Sequence, residues 1–183
     1  MSTGAWIVVV ALVIVVAVIA AAWSIARGRR TTRLREGFGP EYDRTVGRTG
    51  DRAAAEADLL DRARRHDELD LRPLGPRARQ GFVDAWQATQ AAFVDDPAVA
   101  VDDADRLIQR AMRERGYPVD DFEDRAALIS VDHPLVVERY RRAHAVADAS
   151  SAGTASTESL RQAIQDYRAL FMEIVEDEAE VAR

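Results

Sequence analysis

DDPAVAVDDADRLIQRAMRERGYPVDD, residues 95 to 121, is the stretch whose reading decides the fold. Asp96 stands directly before Pro97, the pattern of an N-cap followed by proline at the first helical position. Val101, Ala104, Ile108, Ala111 and Met112 then recur every three or four residues on one face, and Gly116 closes the run where a left-handed residue would end a helix. Working outward, the same grammar repeats. Upstream, after the break at Pro73 and Gly75-Pro76, Phe82, Trp86, Thr89 and Phe93 form a single helical stripe. Downstream, Tyr117-Pro118 makes a turn and Asp120 or Asp121 caps a shorter helix that turns Phe122, Ala126 and Ile129 inward. Asp132-His133-Pro134 opens a helix carrying Val136, Tyr140, Ala143 and Ala147. SSAGTAS (150 to 156) connects it to a last helix starting at Ser156 or Thr157, with Glu158 in its first turn. Leu160, Ala163, Ile164, Tyr167, Leu170, Phe171 and Ile174 give that helix a heptad-like face. No segment alternates with period two. The expected class is therefore all-α, with residues 76 to 180 forming a bundle of four to five helices, and the tail EDEAEVAR (176 to 183) is expected to fray.

The other end of the chain reads differently. Residues 5 to 26, AWIVVVALVIVVAVIAAAWSIA, are an uncharged apolar run long enough, at about 1.5 Å per residue, to cross a hydrocarbon core of roughly 30 Å. The expectation is an N-terminal transmembrane helix, with Trp6 and Trp23 as aromatic anchors at the two interfaces. Arg27, Arg29, Arg30, Arg33 and Arg35 follow it, and residues 1 to 4 carry no basic side chain. Positive-inside reasoning then makes residues 1 to 4 extracytoplasmic and places the C-terminal domain in the cytoplasm of a single-pass plasma-membrane protein. Trp6, Trp23, Arg27, Arg29 and Arg30 are the expected membrane-interface residues, and the bilayer is the expected partner of residues 5 to 26. Residues 27 to 37 read as a basic juxtamembrane segment. Residues 38 to 75, charged nearly all round and interrupted by Gly47 and Gly50, read as a helical stalk and linker.

Composition narrows the chemistry. The 183 residues hold 31 Asp and Glu, 25 Lys and Arg, and no cysteine, for a formal net charge of −6. Every one of the 25 basic residues is Arg, so Schiff-base and P-loop lysines are excluded along with disulfides, thiolate metal sites and cysteine nucleophiles. Residues 36 to 183 contain 20 Arg against all 31 acids, a balance of −11, which argues against a nucleic-acid partner. His66, His133 and His144 fall in no metal-ligand spacing, and neither Asp102-Asp103-Ala104-Asp105 nor 120 to 124 has the order of a calcium loop. There is no glycine-rich phosphate loop and no GxSxG elbow. No catalytic residue, cofactor or metal is expected, and the chain does not read as an enzyme.

Two segments combine an aromatic, a turn former and several charges: FGPEYDR (38 to 44) and RGYPVDDFEDR (115 to 125). Tyr42, Arg44, Tyr117 and Asp121 are accordingly the candidates for a partner surface, since Tyr and Arg are favoured at interaction hot spots. The function expected on these grounds is a membrane-anchored adaptor or scaffold presenting a helical module to a protein partner or to a second copy of itself. The alternative is a small-ligand sensor or hydrolase with a pocket near Trp86, Tyr140 and Tyr167.

Taken in order, REGFGPEYDRTV (35 to 46), LDLRPL (69 to 74), FVDDPAVAVDDADRLI (93 to 108), MRERGYPVDDFEDRAA (112 to 127), SVDHPLVVERYRRAH (130 to 144) and LRQAIQDYRALF (160 to 171) resemble a family of short single-pass membrane-anchored proteins from actinobacteria. The resemblance spans nearly the whole chain. It implies an architecture and a bacterial plasma membrane, but no activity and no catalytic residue, because the family has no assigned activity.

Overall fold

The computed structural model describes residues 3 to 176, with the side chains of 3 to 5, 7 to 11, 13 and 176 left aside. The expected fraying of 176 to 183 therefore falls almost wholly outside the described residues. Within them the chain is all helix, with no strand: α1 (Thr3–Phe38), α2 (Pro40–Thr49), α3 (Arg52–Asp67), α4 (Pro76–Ala92), α5 (Pro97–Arg115), α6 (Phe122–Asp132), α7 (Val137–Ser151) and α8 (Thr157–Phe171). A single π-helical turn, Met172–Glu176, extends α8. The chain divides into two compact units, Met1–Glu56 and Ala57–Arg183.

The transmembrane assignment of residues 5 to 26 is corrected. Among the described residues no helix is long and apolar enough to cross a membrane. The apolar run of α1 ends at Ala26. Beyond it α1 continues without a break through Arg27, Arg29, Arg30, Arg33, Arg35 and Glu36 to Phe38. The single-pass topology, the plasma-membrane location with a cytoplasmic C-terminal domain, and the interface roles of Trp6, Trp23, Arg27, Arg29 and Arg30 go with that assignment. Trp6 and Trp23 are exposed side chains of α1.

In the first unit, Gly39 adopts a φ of +48° and turns the chain from α1 into α2, where Pro40 takes the first helical position. Residues expected in a solvated stalk are instead interior: Glu41, Tyr42, Thr45, Ala55 and Glu56 are buried, as are Leu34 and Phe38 of α1. Periodicity explains why the stalk reading missed this. The buried positions of α3 are Ala55, Glu56, Leu59 and Arg62, a face that mixes two charged side chains with alanine and a single leucine and so shows no clear apolar stripe.

The second unit has its core on α4, α5, α6, α7 and α8, around Trp86, Leu107, Ile108, Met112, Ile129, Tyr140, Tyr167, Leu170 and Phe171. Leu74, expected in the linker, joins this core, and Leu69 and Leu71 pack against it. The Asp96 cap forms as expected, and of the open pairs Asp121 rather than Asp120 and Ser156 rather than Thr157 cap their helices: the side chains of Asp96, Asp121 and Ser156 accept from the backbone N–H groups of Val99, Asp124 and Ser159. The start of α7 differs. Asp132 ends α6, and one turn intervenes before α7 begins at Val137, because His133 N–H already donates to Ile129 O and closes the preceding helix. Gly116 ends α5 at a φ of +100°, where a β-carbon would stand 2.5 Å from the Asp70 carbonyl oxygen. Both the left-handed backbone and the close approach of the 69 to 74 segment require glycine there.

Candidate functional site

The densest polar arrangement in the second unit is buried between α5, α6, α7 and α8. Asp105 sits on α5 one residue beyond Ala104, at the edge of the apolar stripe. It accepts from Tyr167 Oη at 2.9 Å and from Gln109 Nε2 at 2.6 Å. His144 Nδ1 stands 3.4 Å from Asp105 Oδ1, close enough for an ion pair but not aligned as a hydrogen bond. Burial pushes the Asp105 carboxyl upward, but the neighbouring His144, Tyr167 and Gln109 together outweigh it and hold the group below the usual carboxylate range. Arg125 of α6 donates from Nε to Tyr140 Oη at 2.7 Å and from Nη1 to the Val119 carbonyl at 2.6 Å. Burial raises the phenols of Tyr140 and Tyr167 above their ordinary range, and Asp105 adds to this for both. Phe122 stacks on the His144 ring at 3.8 Å and leans on Tyr140 at 5.1 Å.

An aspartate, a histidine and two tyrosines in one cluster have the composition of proton-transfer machinery, but catalysis also needs a place for a reacting atom. Tyr140 and Tyr167 are 0% exposed, their hydroxyls are taken up by Arg125 and Asp105, and Trp86 is stacked on Phe171 at 4.9 Å. Where the sequence suggested a ligand pocket, Trp86, Tyr140 and Tyr167 are buried against other side chains of the protein. The arrangement ties four helices together: the hydroxyls of Tyr140 and Tyr167 are paired with Arg125 and Asp105, while the buried His144 Nδ1 is left without an aligned hydrogen bond. Arg115 does similar work at the end of α8, where it is buried and donates from Nη1 to the Ile174 carbonyl in the π turn.

The residues proposed from sequence for a partner surface are not gathered into one. Tyr42 and Arg44 belong to the first unit, Tyr117 and Asp121 to the second. Tyr42 is 1% and Tyr117 3% exposed, each with its hydroxyl donated to a carboxylate, Glu56 Oε1 at 3.0 Å and Asp132 Oδ2 at 2.9 Å. Arg44 is exposed on α2, and Asp121 is an N-cap. Each histidine faces a carboxylate from another element: His66 and Asp132 at 2.7 Å, His133 and Glu173 at 3.2 Å, His144 and Asp105 as above. Among the described residues no group of three or more such side chains could hold a metal ion.

No family model, curated protein or solved structure matches this chain.

The surface of the second unit offers a better-shaped feature. A groove of about 400 Å3 runs between α4 and α5, lined by Ala78, Gly81, Phe82 and Ala85 on one side and Leu107, Arg110 and Glu114 on the other. The α4 wall follows the i, i+3, i+4, i+7 spacing and is built mostly of small residues, which lets another backbone approach closely. Arg110 and Glu114 have no ion-pair partner among the described residues. Phe82, on the inward stripe expected from sequence, is half-buried: it packs against the core and also lines the groove. The overlooked signal was Ala78, Gly81 and Ala85 beside it, three small residues at helical spacing. Asp105 and Arg125 were also overlooked, although each interrupts an apolar stripe at a position the helical repeat assigns to the interior.

Proposed function

We propose that this chain is a helical protein-interaction module, an adaptor or scaffold, whose second unit receives a helix of a partner protein in the groove between α4 and α5. The observation that carries the reading is the groove itself: small residues along one wall, a half-buried Phe82 and the buried Leu107 at its base, and a cation and an anion one helical turn apart on the other wall. Helices dock into such grooves through an apolar stripe, and flanking charges set direction and register. The fitting partner helix presents aliphatic side chains toward Phe82, an acidic residue toward Arg110 and a basic one toward Glu114.

Gly81 supplies the test, since a β-carbon there meets no atom within 4 Å and a large side chain can enter the groove without straining the fold. A photo-crosslinking side chain at Ala85 should capture one discrete protein in the native cell, whereas the same group at the exposed Arg168 should not. Gly81→Trp should abolish the capture and weaken binding of the purified partner at least tenfold, with unchanged thermal stability. Equal capture from both positions, or capture indifferent to Gly81→Trp, would refute the groove.

A further inference from the structure

The first unit contains a cavity of about 260 Å3 that the adaptor reading leaves unused, lined by Trp23, Ala26, Arg27 and Arg30 of α1 and by Ala53 and Glu56 of α3. The spacing of these residues accounts for the cavity: 23, 26, 27 and 30 share one face of α1, and 53 and 56 one face of α3. Ala53 is small and exposed, so its wall is low.

The cavity has two unmet polar features. Arg27 and Arg30 have no carboxylate within ion-pairing distance among the described residues. The Arg27 guanidinium instead lies 5.4 Å over the Trp23 ring. Glu56, only 4% exposed, receives all its donors on one oxygen: Thr31 Oγ1 at 2.6 Å, Tyr42 Oη at 3.0 Å and Arg52 Nε at 3.2 Å reach Oε1. No donor among the described residues reaches Oε2. Burial works against the charge on Glu56, but the hydrogen bonds from Thr31, Tyr42 and Arg52 prevail and keep its carboxyl below the usual range, so the second oxygen is an anionic acceptor held in place. Arg27, Arg30 and Arg52 against Glu56 leave an excess of two positive charges at the cavity.

We propose that this cavity binds a small phosphate monoester that also carries a hydrogen-bond donor, with its phosphate on Arg27 and Arg30 and its donor on Glu56 Oε2. A monoester dianion matches the excess charge, and paired guanidiniums suit phosphate oxygens better than a point charge does. Glu56 then selects: an ester with an amine or hydroxyl one or two carbons from the phosphate gains a charge-assisted bond that a plain ester lacks. Trp23 offers an aromatic wall to the organic part.

Calorimetry on the full chain decides the matter with three probes: O-phosphoethanolamine, methyl phosphate and glycerophosphoethanolamine. O-Phosphoethanolamine is expected to bind at least tenfold more tightly than methyl phosphate, which has no donor, and more tightly than glycerophosphoethanolamine, a singly charged diester. Arg27→Gln with Arg30→Gln should weaken the two monoesters tenfold or more. Glu56→Gln keeps an acceptor for Thr31 and Tyr42 but puts an amide in place of the free carboxylate oxygen, and it should erase the preference for the amine while leaving methyl phosphate bound. Ala53→Leu, at an exposed position that does not disturb the fold, should weaken both by narrowing the cavity, and it decides the case if Glu56→Gln unfolds the protein. Equal affinity for the two monoesters, indifference to loss of both arginines, or tighter binding of the diester, which would point to a lipid headgroup, overturns the assignment.

Discussion

Replacing Gly116 by alanine should destabilise the second unit through two separable effects, and Gly153 provides the internal standard. Both glycines have positive φ, +100° and +69°, so either substitution places a β-carbon in left-handed backbone at a cost of about 1 kcal/mol. At Gly153 nothing lies within 4 Å of the added atom, and the cost stops there. At Gly116 the new carbon would stand 2.5 Å from Asp70 O and 3.3 Å from its carbonyl carbon, and both neighbours are backbone. The 69 to 74 segment must retreat. The hydrogen bond that Arg72 N–H donates to the Arg115 carbonyl at 2.9 Å is then lost or stretched, at about 1 kcal/mol, and the packing of Leu71 and Leu74 is loosened by about as much again. The sum is about 3 kcal/mol for Gly116→Ala against about 1 kcal/mol for Gly153→Ala. In thermal terms that is roughly 12 °C against roughly 4 °C, taking roughly 4 °C per kcal/mol for a unit of this size. Urea unfolding followed by circular dichroism, with the slope unchanged between variants, measures the difference directly. If the two variants are equally stable, the 69 to 74 segment does not press on Gly116, and the reasoning that joins it to the second unit fails.

Other expectations follow from the same contacts. Tyr140→Phe strands the buried Arg125 Nε and should cost about 1–3 kcal/mol in urea unfolding, more than the loss of one hydroxyl on an exposed ring. Trp86→Ala should cost about 3–5 kcal/mol, whereas Trp86→Phe should cost far less than its lost volume suggests, because the indole N–H has no acceptor among the described residues and its removal relieves a buried unpaired donor. Asp105 has a depressed carboxyl when folded. Its contribution is fully present above its unfolded value of about 4 and is lost as the pH falls through the lower folded one, so the acid limb of a stability–pH curve should be shallower in Asp105→Asn. The phenols of Tyr140 and Tyr167 are raised, so their phenolate absorbance should appear only as the protein unfolds in alkali. Tyr140→Phe and Tyr167→Phe should each remove one late-titrating group.

Much of the second unit could be read directly from the chain, because local chemistry specified it. The Asp96, Asp121 and Ser156 caps, the proline at the start of α5 and the αL glycine at its end are decided within a turn of helix, and the apolar stripes name most of the core. What sequence could not supply is anything that depends on which faces meet. A carboxylate on a helix reads as solvated until the fold places Tyr167 and His144 against Asp105, or Thr31 and Tyr42 against Glu56, and a tyrosine reads as a surface anchor until its hydroxyl is found inside. The same holds for Gly116, whose closeness to Asp70 arises from residues far apart in the chain, and for the grooves, which exist only where two helices leave a gap. Residues 5 to 26 show the converse limit. Hydropathy alone suggested a spanning helix, whereas among the described residues no helix is long and apolar enough to cross a membrane, and α1 runs on into arginines. Sequence by itself determined the helices and their inward faces, since caps and periodicity are short-range. Tertiary structure alone decided which polar groups are paired, which are left open, and where a partner or ligand could approach, since those depend on distances between separate elements.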